Sequence, residues 1–393
     1  MTSAANVTST AKMPLLFLIA DTGGGHRTAA RAVGQALDRL YPGRFAPVLC
    51  DPLGGPGSAR LLRLITGWYG PAIRWAPWLW GAAYHACDSR PAMRLLRWAL
   101  LRHADRPVAD AVRAVQPAAI VSFHPLTGAA AAKARAGSTP VITVVTDLAR
   151  THASWRDAGP DLLIGPPAPL AGPPVTREYW AGPLAAPGRA VLRRSLGLSQ
   201  TRFLVLLAGG GEGSGGLARR TAAILRRFDD VDVVVVCGRN RRLKRRLDAL
   251  AARSGSRLTV TGFTASMPAL LRCCDLVVTK AGPGTIAEAA CCGAPMLLTA
   301  HVPGQEAGNA ELVTGPGAGR RARSIRRLLA EIERLRKDQA SLAGMRAASA
   351  RLGQPDTALV VARLITNLIE STVPAATPGP ERPGRREDQW VCA

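Results

Sequence analysis

The sequence predicts an α/β protein of two domains, each built on a parallel sheet, and three observations carry that expectation. The chain is 393 residues long, more than one ordinary core accommodates, so two domains are expected. Short apolar runs ending in Gly, Asp, Thr or His lead repeatedly into helical patterns, which is the alternation of parallel strands with crossover helices. That rhythm runs once, breaks at a Pro- and Gly-rich stretch, and starts again. A content of 47% hydrophobic residues with 40 glycines and few aromatics agrees, since it describes a folded, turn-rich chain.

In chain order, the first half offers strands at 15–20, 45–50, 119–123, 141–145 and 162–164. Residues 165–187 then hold Gly165, Pro166, Pro167, Pro169, Gly172, Pro173, Pro174, Gly182, Pro183 and Pro187, a composition suited to a linker rather than to packed elements. Strands follow at 203–208, 231–237, 258–260, 276–279 and 296–299. Beyond Gly319 the pattern is helical and basic, and 356–369 reads as a last amphipathic helix. The resulting division is a flexible 1–13, a first domain 14–183, a second domain 184–355, a helix 356–370 that can cross back to the first domain, and a Pro- and Arg-rich disordered tail 371–393. Two similar halves on a linker imply a cleft between Rossmann-like domains.

The formal charge of +24 comes almost wholly from arginine, because Lys12, Lys133, Lys244, Lys280 and Lys337 are the only lysines. Such a surplus favours an anionic lipid surface or nucleic acid, although a chain that writes arginine for every solvated cation looks the same. Eight cysteines include the neighbours Cys273, Cys274 and Cys291, Cys292 without C-x-x-C spacing, which suits a reducing, cytoplasmic setting. The first twelve residues lack the apolar core of a signal peptide, and no window reaches the length of a spanning helix. If a membrane is involved, the chain lies on it.

Three glycine-rich turns follow strands. The first, Asp21-Thr22-Gly23-Gly24-Gly25-His26, opens a helix and lacks the G-K-[ST] ending of a Walker loop. In the second, Gly209 to Gly216, the residues Gly211, Gly213 and Gly216 match G-x-G-x-x-G. That pattern is compatible with a nicotinamide dehydrogenase or with glycines that serve only tight packing. The third runs from Thr279 to Ala289 and places helix amides where a diphosphate could sit, although Thr285 and Glu288 also have the spacing of a capping box.

His26, His124, Asp147 with His152, and His301 all fall just after strand ends, on the side where parallel sheets bind ligands. Their spacing offers no metal-ligand pair such as H-E-x-x-H, but one histidine suffices as a general base. Between 61 and 101 stand Trp68, Tyr69, Trp75, Trp78, Trp80, Tyr84 and Trp98 among many arginines, five of the chain's eight tryptophans. Tryptophan with arginine is the composition of helices seated in lipid headgroups; a core helix pair with cationic outer faces, or stacked single-stranded nucleic acid, shares it.

Together the first turn through Arg27, Ser122-Phe123-His124-Pro125-Leu126, Thr146-Asp147-Leu148, Gly209-Gly210-Gly211-Glu212-Gly213, Cys237-Gly238-Arg239-Asn240, Thr279 to Glu288, and Pro303-Gly304-Gln305-Glu306-Ala307-Gly308-Asn309 resemble the monogalactosyldiacylglycerol synthase family, with its bacterial diacylglycerol glycosyltransferase relatives, in glycosyltransferase family 28. The resemblance covers about residues 14 to 365. It implies a GT-B fold, inverting transfer of galactose or glucose from a UDP-sugar to diacylglycerol, and no metal or other cofactor. By the same resemblance uracil lies near Gly238, Arg239 and Phe263, Glu288 holds the ribose, and Gly209, Gly210, Gly211, Gly213, Gly284 and Thr285 hold the diphosphate. Gln305 and Glu306 match the hexose-holding positions, with Asn309 closing that segment.

His26 resembles the catalytic histidine, with Asp147 as a second candidate base. Gly24, Gly25, Trp68, Tyr69, Trp75, Trp78, Trp80, His124 and His152 fall on the acceptor and membrane side. The expected setting is peripheral, on the cytoplasmic face of the membrane, with an anionic surface and no nucleic acid as partner. A transferase acting on a polyprenyl-linked cell-wall precursor with UDP-N-acetylglucosamine is the alternative. The chain departs from the family pattern in having no transit segment, from which a bacterial source is expected, and in carrying more tryptophan between 61 and 101.

Overall fold

The computed structural model describes residues 12–372 except 21–23, 56–57, 158, 167–171 and 183–186, and leaves out the side chains of 65, 69 and 73–75. Two fully parallel sheets carry the chain. The first contains β1 (Met13–Leu18), β2 (Phe45–Cys50), β3 (Ala119–Ser122), β4 (Val141–Val144) and β5 (Leu162–Ile164), in the order β2-β1-β3-β4-β5. The second contains β6 (Phe203–Ala208), β7 (Val231–Val236), β8 (Leu258–Thr261), β9 (Leu276–Lys280), β10 (Met296–Ala300) and β11 (Gly319–Arg321), in the order β11-β10-β9-β6-β7-β8.

Central strands read as unbroken apolar runs because helices cover both faces. All six residues of β7, Val-Asp-Val-Val-Val-Val, are buried, and the Asp232 carboxylate pairs with Arg202 at the sheet's end. On one face of the first sheet, Leu15, Phe17, Val121 and Ile142 pack against Ala29, Val33 and Leu37 of α1 (Gly25–Leu40). The same cluster takes in Val361, Ile365 and Ile369 of the last helix, Thr357–Thr372. The described chain therefore leaves the second sheet and returns to the first. Each such buried aliphatic contributes about 1.5–3 kcal/mol, so this helix ties the two halves together by several kcal/mol.

Between β2 and β3 stand the helices α2 (Arg60–Trp75), α3 (Pro77–Ala86), α4 (Arg90–Ala99) and α5 (Asp105–Val115). Among the described residues no helix is long and apolar enough to cross a membrane.

The structure amends the expected elements in three places. Strand β1 starts two residues early, because Met13 pairs with Phe45, and it stops at Leu18. The stretch after Gly319 begins with strand β11 rather than helix, since Gly319, Arg320 and Arg321 pair with Met296, Leu297 and Leu298; a three-residue edge strand of Gly-Arg-Arg has no apolar run to announce it. The Pro-rich joining stretch is partly packed, with Val175 and Tyr179 only 2% and 4% exposed in the core of the second domain. Proline and glycine marked the turns there and hid the anchoring side chains between them.

Candidate active site

Each sheet has one point where its strand order reverses, between β1 and β3 in the first and between β6 and β9 in the second. Loops that leave such a point in opposite directions open a crevice at the carboxyl ends of the strands, the usual ligand site of open α/β sheets. In the first domain those loops carry Gly24, Gly25, His26 and His124; in the second they carry Gly209–Gly216 and Ala281–Thr285.

His26 lies in the first turn of α1, after Gly24, whose φ of 86° is the left-handed conformation that favours glycine. Its Nδ1 is 2.7 Å from the Phe123 carbonyl oxygen and 2.9 Å from Thr146 Oγ1. A carbonyl oxygen only accepts, so Nδ1 bears the proton, and in the neutral ring Nε2 is the basic nitrogen. The His124 ring stands edge-on to His26 at 4.6 Å. Burial, and then the neighbouring His26, hold His124 well below the usual imidazole range, and its Nδ1 accepts the Leu126 amide at 3.3 Å. His124 is thus a neutral neighbour to the ring that can take a proton.

Asp147 completes the cluster. Trp155 Nε1 donates to its carboxylate at 2.6 Å, and the Trp155 ring lies 6.4 Å from His26. A second donor is the side-chain amide of Gln305, which belongs to the other domain. Burial pushes the Asp147 carboxyl up to about 6 against these two bonds, and the nearby Glu306 adds to the rise.

The segment that supplies Gln305 is held from several sides. Glu306 is buried, receiving the ammonium of Lys280 on Oε1 and the amide of Val302 on Oε2 at 2.8 Å. Helix α3 packs directly on it: a Cβ on Gly81 would lie 2.7 Å from Pro303 Cβ, and one on Gly304 2.7 Å from Tyr84 Cδ1. His152 braces this contact, since Nε2 donates to the Tyr84 carbonyl at 3.0 Å while Nδ1 meets Ser154 Oγ at 2.7 Å. His152 therefore positions α3 rather than facing an acceptor. Asn309 also departs from its expected ligand role: Nδ2 donates to the Ala281 carbonyl at 2.9 Å, and Oδ1 accepts the Ala149 amide at 3.2 Å. With 1% exposure it is a strut between the domains.

In the second glycine turn and the loop after β7, three glycines answer to backbone packing. A Cβ at Gly209 would meet Ser214 O at 2.2 Å, one at Gly213 would meet Cys237 O at 2.2 Å, and one at Gly238 would meet Gly211 O at 2.3 Å. The Arg239 amide donates to the Gly211 carbonyl at 2.8 Å, so the two loops form one platform. Arg239 reaches the first domain, its Nη2 standing 2.7 Å from where a Cβ on Gly24 would be. Phe263, 74% exposed beyond β8, follows Gly262, where an added Cβ would lie 3.7 Å from Gly238 O. The surroundings of Gly25 and Gly284 are open, with nothing within 4 Å of a Cβ there.

The capping box that the Thr285 and Glu288 spacing also allowed is not formed. The helix Pro283–Cys291 is capped by Gly282 with no side-chain bond, which puts Thr285 inside the first turn and Glu288 a turn further on. The first-turn amides of Gly284 and Thr285 consequently have no partner within the helix itself. Glu288 instead accepts the Tyr179 hydroxyl, and burial raises its carboxyl to about 7.

Of the aromatic residues, Trp68, Trp78 and Trp98 are 63%, 71% and 68% exposed, beside exposed Leu64, Leu79 and Leu95 on the same three helices. Trp80 is half-buried, and the side chains of Tyr69 and Trp75 lie outside the described residues, as do Asp21, Thr22 and Gly23. Sequence reasoning passed over Trp155 and Lys280 as site residues. No spacing rule marks Trp155, whereas Lys280 could have been noticed as a rare lysine at a strand end. Among the described residues no group of three or more His, Cys, Asp or Glu is arranged to hold a metal.

Comparison with known proteins defines the class. MurG of Acinetobacter baumannii superposes with a TM-score of 0.58 at 16% identity, over 91% of this chain and 99% of that one. HepE of Anabaena, solved with UDP and glucose, gives 0.54 at 17% identity, over 91% and 100%. The fold is GT-B, that of a large class of glycosyltransferases.

Residues 204–360 match the model of the glycosyltransferase family 28 C-terminal domain. Probable monogalactosyldiacylglycerol synthase 2 of Oryza sativa subsp. indica is 32% identical over 330 residues, covering 78% of this chain and 70% of the relative. The probable synthase of Nicotiana tabacum is 29% identical over 90% of this chain and 70% of its own length, and against synthase 1 of Arabidopsis thaliana the chain spans 62% of the relative at 29% identity. The chain belongs to the monogalactosyldiacylglycerol synthase family within glycosyltransferase family 28, and is a glycosyltransferase.

Proposed function

We propose that this glycosyltransferase moves galactose or glucose from a UDP-sugar to the sn-3 hydroxyl of 1,2-diacylglycerol, with inversion, to give a β-glycosyl diacylglycerol. The observation that carries the reading is the hydrogen bond from Gln305 to Asp147. It joins Gln305, which by the family resemblance would hold the hexose, to the cluster that contains His26. Family membership supports the donor and acceptor classes, since the relatives are named as monogalactosyldiacylglycerol synthases.

In this reading Nε2 of His26 takes the proton of the lipid hydroxyl as its oxygen attacks the anomeric carbon. The bond from that carbon to the diphosphate breaks with its electron pair going to UDP, and the charge is received by backbone amides at the start of helix Pro283–Cys291. Following the family resemblance, no metal is assigned. Uracil lies on the Gly238–Arg239 platform beside Phe263, and the Glu288 carboxyl is offered to the ribose. The acceptor enters along α3, which abuts the Gln305 segment and continues into the exposed tryptophans. Those rings, with the arginines around them, suit a peripheral seat on an anionic cytoplasmic membrane face.

The test is a matrix of donors and acceptors. Purified full-length chain is incubated with labelled UDP-galactose, UDP-glucose or UDP-N-acetylglucosamine, and with vesicles holding diacylglycerol or a polyprenyl-linked sugar. A labelled diacylglycerol from one of the two hexose donors is expected. Label appearing only in the polyprenyl lipid, from UDP-N-acetylglucosamine, would overturn the acceptor assignment.

A further inference from the structure

Lys280 is the last residue of β9, a central strand of the second sheet, at the edge where ligands bind. It is one of five lysines in a chain with 51 lysine and arginine residues. Lys133, Lys244 and Lys337 lie toward the surface in ion pairs with Asp105, Asp248 and Glu333. Lys280 is different: its side chain is 20% exposed, and it is bound to a Glu306 side chain that is 5% exposed. An ion pair this buried is seldom a net source of stability, because desolvating both charges offsets their attraction.

The surroundings give the pair a purpose. A Cβ on Gly282 would lie 2.8 Å from Lys280 Nζ, and one on Gly210 3.8 Å from its Cε. The ammonium thus stands between the two glycine turns that flank the reversal point of the sheet. A compact ammonium fits under Gly282, whereas the planar fork of arginine, this chain's habitual cation, is broader. Glu306 is the residue after Gln305, so any movement of the pair is felt where the sugar is to be held.

We propose that Lys280 is the side-chain cation for the donor's diphosphate, and that the diphosphate exchanges with Glu306 as its partner. The freed Oε1 of Glu306 then accepts a hydrogen bond from a hexose hydroxyl, while Oε2 keeps the Val302 amide. Donor binding and sugar grip are thereby coupled through one ion pair. This rests on the nucleotide-sugar reading above and adds to it the group that neutralises the diphosphate.

Calorimetric titration of the full chain with uridine, UDP and UDP-hexose tests the proposal. Lys280→Met is expected to weaken UDP binding about ten- to hundred-fold, as loss of a charge-assisted contact does, and to leave uridine binding within about twofold. Glu306→Gln, which frees the ammonium, is expected to bind UDP at least as tightly as the parent but to lose affinity for UDP-hexose relative to UDP. The double variant Lys280→Met/Glu306→Gln leaves no unpaired buried charge, so it should melt close to the parent and still lack the diphosphate increment. Undiminished UDP binding by Lys280→Met, or equal losses for UDP and uridine, would overturn the role of Lys280 while sparing the donor reading. A parent chain that binds neither uridine nor UDP would sink both.

Discussion

The side-chain amide of Gln305 in the second domain donates a hydrogen bond to the Asp147 carboxylate in the first, beside the Trp155 ring that faces His26. The two lobes are therefore joined at the place where chemistry is proposed. Replacing Gln305 by Glu sets two carboxyls against each other, which disfavours their joint ionisation. Gln305→Glu is expected to lower kcat/KM for transfer about tenfold or more at pH 8 and to regain part of it toward pH 6, where a proton can be shared. A pH–rate profile parallel to that of the parent would contradict this.

Asp147 also makes stability depend on pH. Its folded carboxyl is raised from 3.8 to about 6, so the folded state keeps a proton that the unfolded chain has released. Stability then falls as pH rises through that window, by about 2–3 kcal/mol from this group, and is not recovered above it. Glu288, raised from 4.5 to about 7, acts with the same sign over a slightly higher range. Thermal melts of Asp147→Asn between pH 4.5 and 8 should show a shallower decline than the parent, with the gain largest at pH 8. Curves that run parallel would show that the Asp147 carboxyl is not held protonated by burial.

The fit of α3 on the Gln305 segment depends on two missing side chains. Gly304 has φ +79° and would press a Cβ to 2.7 Å from Tyr84. Gly304→Ala is expected to destabilise the fold by about 1–3 kcal/mol and to raise KM for the donor. Gly67 in α2, with nothing within 4 Å of a Cβ, is the internal control. Gly67→Ala should leave KM unchanged and be neutral or stabilising by up to about 1 kcal/mol. Equal behaviour of the two variants in stability and KM would remove the case for this contact.

Exposed Trp68, Trp78 and Trp98 should govern membrane seating rather than donor binding. Changing all three to Ser is expected to reduce cosedimentation with anionic vesicles about tenfold or more while UDP affinity stays within about twofold. Unchanged vesicle binding would move the membrane face elsewhere.

Much of this arrangement was legible in the residues. Apolar strands that end in glycine turns point to two parallel sheets, and the motifs that carry His26, Asp147 and Gln305 lie on loops that the fold brings into one cluster. What periodicity could not supply was the destination of each polar group. Asn309 sits in a motif yet spends both amide atoms on backbone groups of the interdomain contact, and His152 follows a strand end yet braces α3. The Thr285 and Glu288 spacing fits a cap, but Gly282 begins the helix three residues sooner because Pro283 suits its first position. Lys280 and Trp155 became visible as site residues only through their partners, which lie 26 and 8 residues away along the chain.

The central claim is that an imidazole from the first domain deprotonates an acceptor that attacks a sugar carbon held by the second. Single-turnover transfer from labelled UDP-hexose to diacylglycerol, comparing the parent with His26→Ala and determining the anomeric configuration of the product, tests it most directly. A β-linked product is expected, formed about 10²–10⁴-fold more slowly by His26→Ala, with the affinity for UDP unchanged. Turnover by His26→Ala at the parent rate, or an α-linked product, would contradict it.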